Sequence, residues 1–309
     1  LSATADELAA WLSSLLDGPV SGLRRLSGGA SRETWRFDLG GLGGVGGVPL
    51  ILRRDPPGSP KGGMAVEARL LRAAGVCGVP VAEVLAADAS YMVTSFVEGE
   101  TIPRKILRDP EYASARSVLA SHCGTALAAV QRIPVADFAD LPDADPLVEL
   151  RALLDSLGQP HPAFELGFTW LAAHRPAPSG HVVVHGDFRN GNLMVGPRGL
   201  RAVLDWELAH RGDPLEDLGW LCVKAWRFGV VDKPVGGFGS YAELVANYGV
   251  PVDLDALRWW EALGTLRWGI ICIMQAMAHV SGMVRSVELA AIGRRVCENE
   301  WDLLGYLPW

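Results

Sequence analysis

The sequence has no Cys-x-x-Cys pair, no surplus of positive charge and no long uninterrupted apolar run. Its five cysteines (Cys77, Cys123, Cys222, Cys272, Cys297) are odd in number and scattered. That spacing supplies neither a zinc site nor a disulfide framework, and it suits reduced thiols in the cytoplasm. With 35 Asp and Glu against 28 Lys and Arg, the formal charge is −7. A dedicated nucleic-acid or anionic-membrane surface needs a basic patch, so neither partner is expected. The most apolar run, Trp268 to Met283, is interrupted by Gln275, His279 and Ser281. It is also short for a bilayer span, and it reads as a buried core helix. No leader is expected at the start: Ser2 to Leu16 contains Asp6 and Glu7 and patterns as an ordinary helix.

What is present is apolar bulk. At 309 residues and 49% hydrophobic composition the chain can build one large domain or two lobes. The most informative stretch is His185-Gly186-Asp187-Phe188-Arg189-Asn190-Gly191-Asn192, followed by Leu204-Asp205-Trp206-Glu207. Val182-Val183-Val184 is β-branched and predicts a buried strand leading into this polar loop. Leu193-Met194-Val195 and Ala202-Val203-Leu204 predict a hairpin around Gly196-Pro197-Arg198-Gly199, which carries Asp205 back beside the loop. Asp187, Asn192 and Asp205 are then three oxygen-bearing side chains in one region. Two suffice for a hard cation such as Mg²⁺ that keeps waters and takes substrate phosphates as further ligands, and the third remains to accept a proton.

The first third predicts strands. Leu23 to Leu26 and Thr34 to Leu39 flank a glycine turn at Ser27-Gly28-Gly29-Ala30-Ser31, whose free N–H groups and Ser31 hydroxyl suit phosphate oxygens. Taken alone, such a turn is an ordinary hairpin. Pro49 to Leu52 predicts a third strand ending in Arg53-Arg54. Alternation does not choose which arginine points inward to meet phosphate, since Leu50, Ile51 and Leu52 are all apolar. Gly63 to Ala74 predicts a helix bearing Glu67. Val79 to Val81, Val84 to Ala87 and Tyr91 to Val97 predict the remaining strands, and Glu98-Gly99 breaks the last. Beyond Thr101 the pattern is helical. The expectation is an α+β, two-lobed fold: a small antiparallel β lobe with one helix over residues 1–98, and a larger helical lobe over 99–309.

These features, in this order, resemble the aminoglycoside phosphotransferase-like family, relatives of the eukaryotic-type protein kinases. The carrying motifs are the Ser27–Ser31 turn, Leu52-Arg53-Arg54, Glu67, Glu98-Gly99, His185-Gly186-Asp187 with Asn192, Asp205-Trp206-Glu207 and Gly212-Asp213-Pro214. The variant is similar to the branch that includes kinase-like domains joined to some acyl-CoA dehydrogenases. The resemblance implies an ATP- and Mg²⁺-dependent phosphotransferase acting on a hydroxyl of a small molecule, with GTP as the alternative nucleotide. It assigns Asp187 to the acceptor hydroxyl, Asn192 and Asp205 to Mg²⁺, and Arg53, steadied by Glu67, to the α/β-phosphates. Gly28, Gly29 and Ser31 would cover the phosphates, and Ser95 and Val97 would offer backbone groups to the base. Arg189, two residues after Asp187, either neutralises the moving phosphate or is a loop arginine paired with a carboxylate. His185 and Asp217 are expected to brace the loop.

Two departures from the wider kinase pattern bear on function. The clamp is Arg53 where a lysine is usual, and the interval from Asp205 to Asp213 is too short for a peptide-docking activation segment, which disfavours a protein kinase. The acceptor stays open at this level. The acidic run Asp137 to Glu149 and the late Glu298, Glu300 and Asp302 would suit a polycationic aminoglycoside if they faced a cleft. The tryptophan-rich last helices equally suit a hydroxyacyl-type metabolite. A non-catalytic nucleotide-binding module is a third reading, disfavoured by the retention of Asp187, Asn192 and Asp205 together.

Overall fold

The computed structural model describes residues 5–26, 32–40, 46–56 and 63–307. The glycine turn, with Gly28, Gly29 and Ser31, lies outside the described residues. The chain divides into two compact units, Leu1–Gly99 with Arg201–Glu207, and Glu100–Leu200 with Leu208–Trp309.

The first unit opens with α1 (Ala5–Leu15), followed by β1 (Val20–Arg25), β2 (Glu33–Leu39), β3 (Val48–Arg54), α2 (Met64–Val76), β4 (Val84–Ala87) and β5 (Tyr91–Ser95). The strands form one five-stranded sheet in the order β1-β2-β3-β5-β4, with every neighbouring pair antiparallel. Amphipathic α1 projects Leu8 and Leu12, four residues apart, onto Phe37, Leu50, Leu52 and Val93. Each such fully buried side chain contributes roughly 1.5–3 kcal/mol. The unit therefore holds two helices rather than one, because α1 covers a sheet face that would otherwise be wet. Val79–Val81 is not a strand. Pro80 has no N–H to give a ladder, and its carbonyl instead accepts from Val203 N at 2.8 Å.

The second unit holds α3 (Pro103–Arg108), α4 (Ala113–Val130), α5 (Pro146–Leu157), α6 (Pro162–Ala173), β6 (Val182–Val184), β7 (Leu193–Gly196), β8 (Gly199–Val203), β9 (His210–Gly212), α7 (Glu216–Cys222), α8 (Tyr241–Ala246), α9 (Leu254–Val280), α10 (Val287–Gly293) and α11 (Val296–Leu304). The unit boundary falls within β8, whose end belongs to the first unit. β7 and β8 form the expected hairpin, and β6 pairs antiparallel with β9.

The spine is α9, which packs against α5, α6, α7, α10 and α11. Among the described residues it is the one helix long and apolar enough, by length and composition, to cross a membrane. Its buried residues run from Ala256 to Ile273. Trp259 and Trp260 sit among them in the main core, together with Phe164, Leu171 and Leu303. They are core residues, not a stacking platform.

Candidate active site

In the first unit, strand alternation settles the arginine question once the burial is known. Leu50 and Leu52 are 1% and 0% exposed and face α1, so Arg53 projects from the opposite face, toward α2. There its Nη1 bonds Glu67 Oε1, and its Nη2 lies 3.4 Å from Asp205 Oδ1. Arg54 is turned away, with Nε donating to Glu33 at 2.7 Å. Burial opposes the Arg53 charge, but the Glu67, Asp205 and Glu207 carboxylates outweigh it and hold its pKa above the ordinary value.

Glu67 is buried to 2% exposure and is gripped from a second side. Arg32 Nη1 donates to Glu67 Oε2 at 2.9 Å, while Arg32 also reaches Asp55 at 3.3 Å and Glu207 at 3.4 Å. Arg32, placed just after the glycine turn, is a member of this lattice that the motifs did not single out. A buried carboxylate between two guanidinium groups has little freedom, so the Arg53 fork is pre-oriented. Asp205 has φ 65°, a left-handed conformation that costs a non-glycine residue about 1–2 kcal/mol. Buried Trp206, whose Nε1 donates to Val203 O at 3.3 Å, anchors the next position.

Ser95 ends β5 with its N–H donating to Glu83 O at 2.9 Å, and its hydroxyl accepts from Glu83 N at 2.9 Å. Its amide is thus spent inside the unit. Val97 lies just beyond the strand and is half-buried.

In the second unit, the polar loop after β6 is fixed from beneath by α7. Asp217 accepts from the backbone N–H of His185 at 2.7 Å and of Gly186 at 3.0 Å. Full burial raises the Asp217 pKa to about 6, with neighbouring Glu216 adding to the rise and the two N–H donors opposing it. Gly186 has φ 81°, and a Cβ there would lie 2.3 Å from Leu208 O, so only glycine fits. His185 is fully buried, and its Nδ1 accepts from Asp187 N at 3.1 Å. It braces the loop.

Asp187 is surrounded by donors. Trp220 Nε1 donates to its Oδ1 at 2.8 Å and Arg189 Nε to the same oxygen at 3.0 Å. Asn192 Nδ2 donates to Oδ2 at 2.6 Å and to the Asp187 carbonyl at 3.0 Å. The amide nitrogen of Asn192 is thereby held by Asp187, and its Oδ1 is the acceptor end of the same amide. Arg189 is held in place: its guanidinium lies 4.6 Å over the Trp226 ring, and a Cβ on Gly191 would come within 2.6 Å of its Nη1. Its carboxylate partner is Asp187, the catalytic candidate itself.

Trp220 is the second residue the motifs missed. It lies one helical turn after Asp217 on α7, so both face the loop, and that i,i+3 relation was the available signal. Asp213 accepts from Leu215 N at 2.9 Å and Ser179 N at 2.7 Å, and α7 begins at Glu216.

The oxygen donors fit a hard cation in kind: Asp205 brings a carboxylate and Asn192 an amide oxygen. Among the described residues no group of three or more His, Cys, Asp or Glu side chains is arranged to hold a metal.

Three of the acidic candidates for a polycation are paired within the unit. Asp143 pairs with Arg211 at 3.2 Å and His181 at 3.0 Å. Asp145 pairs with Arg175 at 2.5 Å and caps α5. Glu300 meets His161 at 2.9 Å.

A model of the phosphotransferase enzyme family matches residues 22–260. Acyl-CoA dehydrogenase family member 10 of Mus musculus is 32% identical over 199 residues, which is 56% of this chain and only 18% of that protein. Among solved structures, a candidate aminoglycoside phosphotransferase from Ralstonia eutropha JMP134 gives a TM-score of 0.75 at 20% identity, over 98% of each chain. Spectinomycin phosphotransferase, solved with ADP and spectinomycin, gives 0.68 at 12% identity over 99% of each chain. At such identities the structural likeness is one of fold, the kinase-like pairing of an antiparallel sheet unit with a helical unit. The family match covers most of the sequence and includes every motif named above: the chain belongs to the phosphotransferase enzyme family.

Proposed function

We propose that the protein transfers the γ-phosphoryl group of ATP, as its Mg²⁺ complex, to a hydroxyl of a small molecule. The observation that carries this reading is the fixation of Asp187 by Trp220, Arg189 and Asn192, because a carboxylate held this way is pre-oriented toward one incoming group. The acceptor oxygen attacks the γ-phosphorus, its proton passes to Asp187, and the bond between that phosphorus and the β,γ-bridging oxygen breaks to release ADP. Arg53, oriented by Glu67, binds the α/β-phosphates. Arg189 supplies positive charge beside Asp187. Asn192 Oδ1 and Asp205 are the proposed cation ligands; the cation, when bound, neutralises phosphate charge.

Differential scanning fluorimetry tests the reading. ATP with Mg²⁺ is expected to raise the melting temperature, and EDTA to cancel the rise. Absence of stabilisation by ATP or GTP with Mg²⁺ would sink it. ADP release on presentation of an acceptor is expected to drop by 10²–10⁴-fold in Asp187→Ala. Retention of full turnover in that variant would remove Asp187 from the chemistry. A binding module without catalysis would show the stabilisation and no acceptor-dependent ADP.

A further inference from the structure

We propose that Trp226 is a positioning residue for phosphoryl transfer; this rests on the phosphotransferase reading. Its ring holds the Arg189 guanidinium by the face and leaves the in-plane Nη edge to take oxygens of the terminal phosphate. Arg189 Cζ lies 4.6 Å from the Trp226 ring centroid, and Arg189 Nε donates to Asp187 Oδ1 at 3.0 Å. Among the described residues no hydrogen bond or ion pair engages Nη1 or Nη2.

The kind of partner decides what Arg189 can still do. A second carboxylate would occupy the Nη edge with the same bidentate geometry that a phosphate needs. An aromatic face attracts the cation from above its plane and uses none of its N–H donors. Arg189 is thus fixed by Nε and by its face, while two nitrogens remain for an oxyanion.

Trp226 serves through that face and not through its N–H. It is 3% exposed, and its Nε1 is buried with no hydrogen-bond partner among the described residues, a cost that folding has to absorb. Trp220, in contrast, spends its N–H on Asp187. The Trp226 ring is wedged edge-on against Trp220 at 5.2 Å and tilted on Trp268 at 4.8 Å.

The backbone beneath the ring is equally confined. Trp226 sits in a short 3₁₀ turn, Lys224–Arg227. Arg227 staples that turn by donating back to Cys222 O at 2.8 Å and to Glu261 at 2.5 Å. Buried Glu261 also accepts from Tyr241 OH at 2.6 Å and Tyr306 OH at 2.7 Å. The plane on which Arg189 stacks therefore has little freedom.

Two measurements on the full chain test the role. In nitrogen–proton correlation spectra the Arg189 Nε–H, identified by its loss in Arg189→Lys, is expected as a distinct, slowly exchanging peak. Trp226→Phe, which keeps a ring face, should retain it, and Trp226→Leu should not. Calorimetry with Mg²⁺ then compares AMP-PNP, which has a terminal phosphate, with ADP. The preference for AMP-PNP is expected to shrink by about tenfold in Trp226→Leu and in Arg189→Met. It should shrink less in Trp226→Phe and no further in the Leu–Met double variant, because residues acting through one another are not additive.

Absence of the peak from the native chain, no AMP-PNP preference to lose, an unchanged preference in Trp226→Leu, a Trp226→Phe loss as large as that of Trp226→Leu, or additive losses in the double variant each overturns the proposal. If Trp226→Leu does not fold, a fluorinated tryptophan at position 226 takes its place in both measurements, since it keeps the shape and withdraws electrons from the ring face. Nucleotide binding that is indifferent to Trp226 rejects the positioning role and leaves phosphoryl transfer standing. Failure of the native chain to bind either nucleotide rejects phosphoryl transfer itself.

Discussion

Asp187 receives hydrogen bonds from an indole, a guanidinium and an amide, and the indole is the contact with the sharpest consequence. Trp220→Phe keeps an aromatic ring in the core but deletes the N–H together with part of the indole's bulk. A hydrogen bond to a charged group is worth about 1.5–3 kcal/mol, so kcat is expected to fall about tenfold or more, with the nucleotide KM little changed. Steady-state kinetics checks this, and an unchanged kcat removes Trp220 from the positioning of Asp187. Gly191→Ala is expected to be as damaging by a different route. The residue has φ 125°, and the new methyl would collide with the Arg189 guanidinium. A crystal structure of that variant should show Arg189 displaced from Trp226. The motif residues were legible because phosphoryl transfer demands a particular set of oxygens and cations in a particular order. Arg32 and Trp220 were not, because each acts through a tertiary contact with a partner far away in sequence. Arg53 against Arg54 needed the burial of Leu50 and Leu52, which three consecutive apolar residues do not disclose.

At the level of elements, β9 and α7 are locked by an ion pair that titrates. His210 Nε2 lies 3.0 Å from Glu216 Oε2, and Arg267 meets the other oxygen at 3.3 Å. Burial pulls the His210 pKa down, but the Glu216 bond and charge overcome it and raise it to about 9. A raised histidine pKa contributes stability that is complete below the unfolded value near 6.5 and is lost as pH climbs through about 9. The melting temperature is therefore expected to fall between pH 6.5 and 9.5 by an amount corresponding to roughly 1–3 kcal/mol. Glu216→Gln should flatten that slope, and an identical slope in the variant would exclude the pair as its source. Asp217 titrates lower. Its pKa is raised to about 6, so its contribution to stability is likewise lost as pH rises through 6. Protonation below 6 weakens its hold on the His185 and Gly186 amides, and kcat is expected to decline there.

Element positions were legible where the pattern was strong, as in the stretch Gly63 to Ala74, which forms α2 (Met64–Val76). They failed where a local feature overrode the pattern. Pro80 ends the would-be strand Val79–Val81.

For the whole molecule, an expected boundary near residue 98 followed from where β-type patterning stops. The membership of Arg201–Glu207 in the sheet unit did not, because it rests on long-range contacts. Val203 N donates to Pro80 O, Arg53 reaches Asp205, and Arg32 reaches Glu207. A fragment comprising residues 1–99 alone is expected to melt at a lower temperature than the same fragment with 201–207 fused through a flexible linker. Equal melting temperatures would show the segment to be energetically idle. The same discontinuity constrains inheritance. A recombination event with one junction near residue 99 would pair the sheet of one parent with the Asp205 segment of the other, so viable chimeras within the family should exchange residues 201–207 together with 1–99. Sequence changes at Arg32, Arg53, Pro80, Val203, Asp205 and Glu207 should accordingly be correlated across descendants, although more than a hundred positions separate the two stretches along the gene.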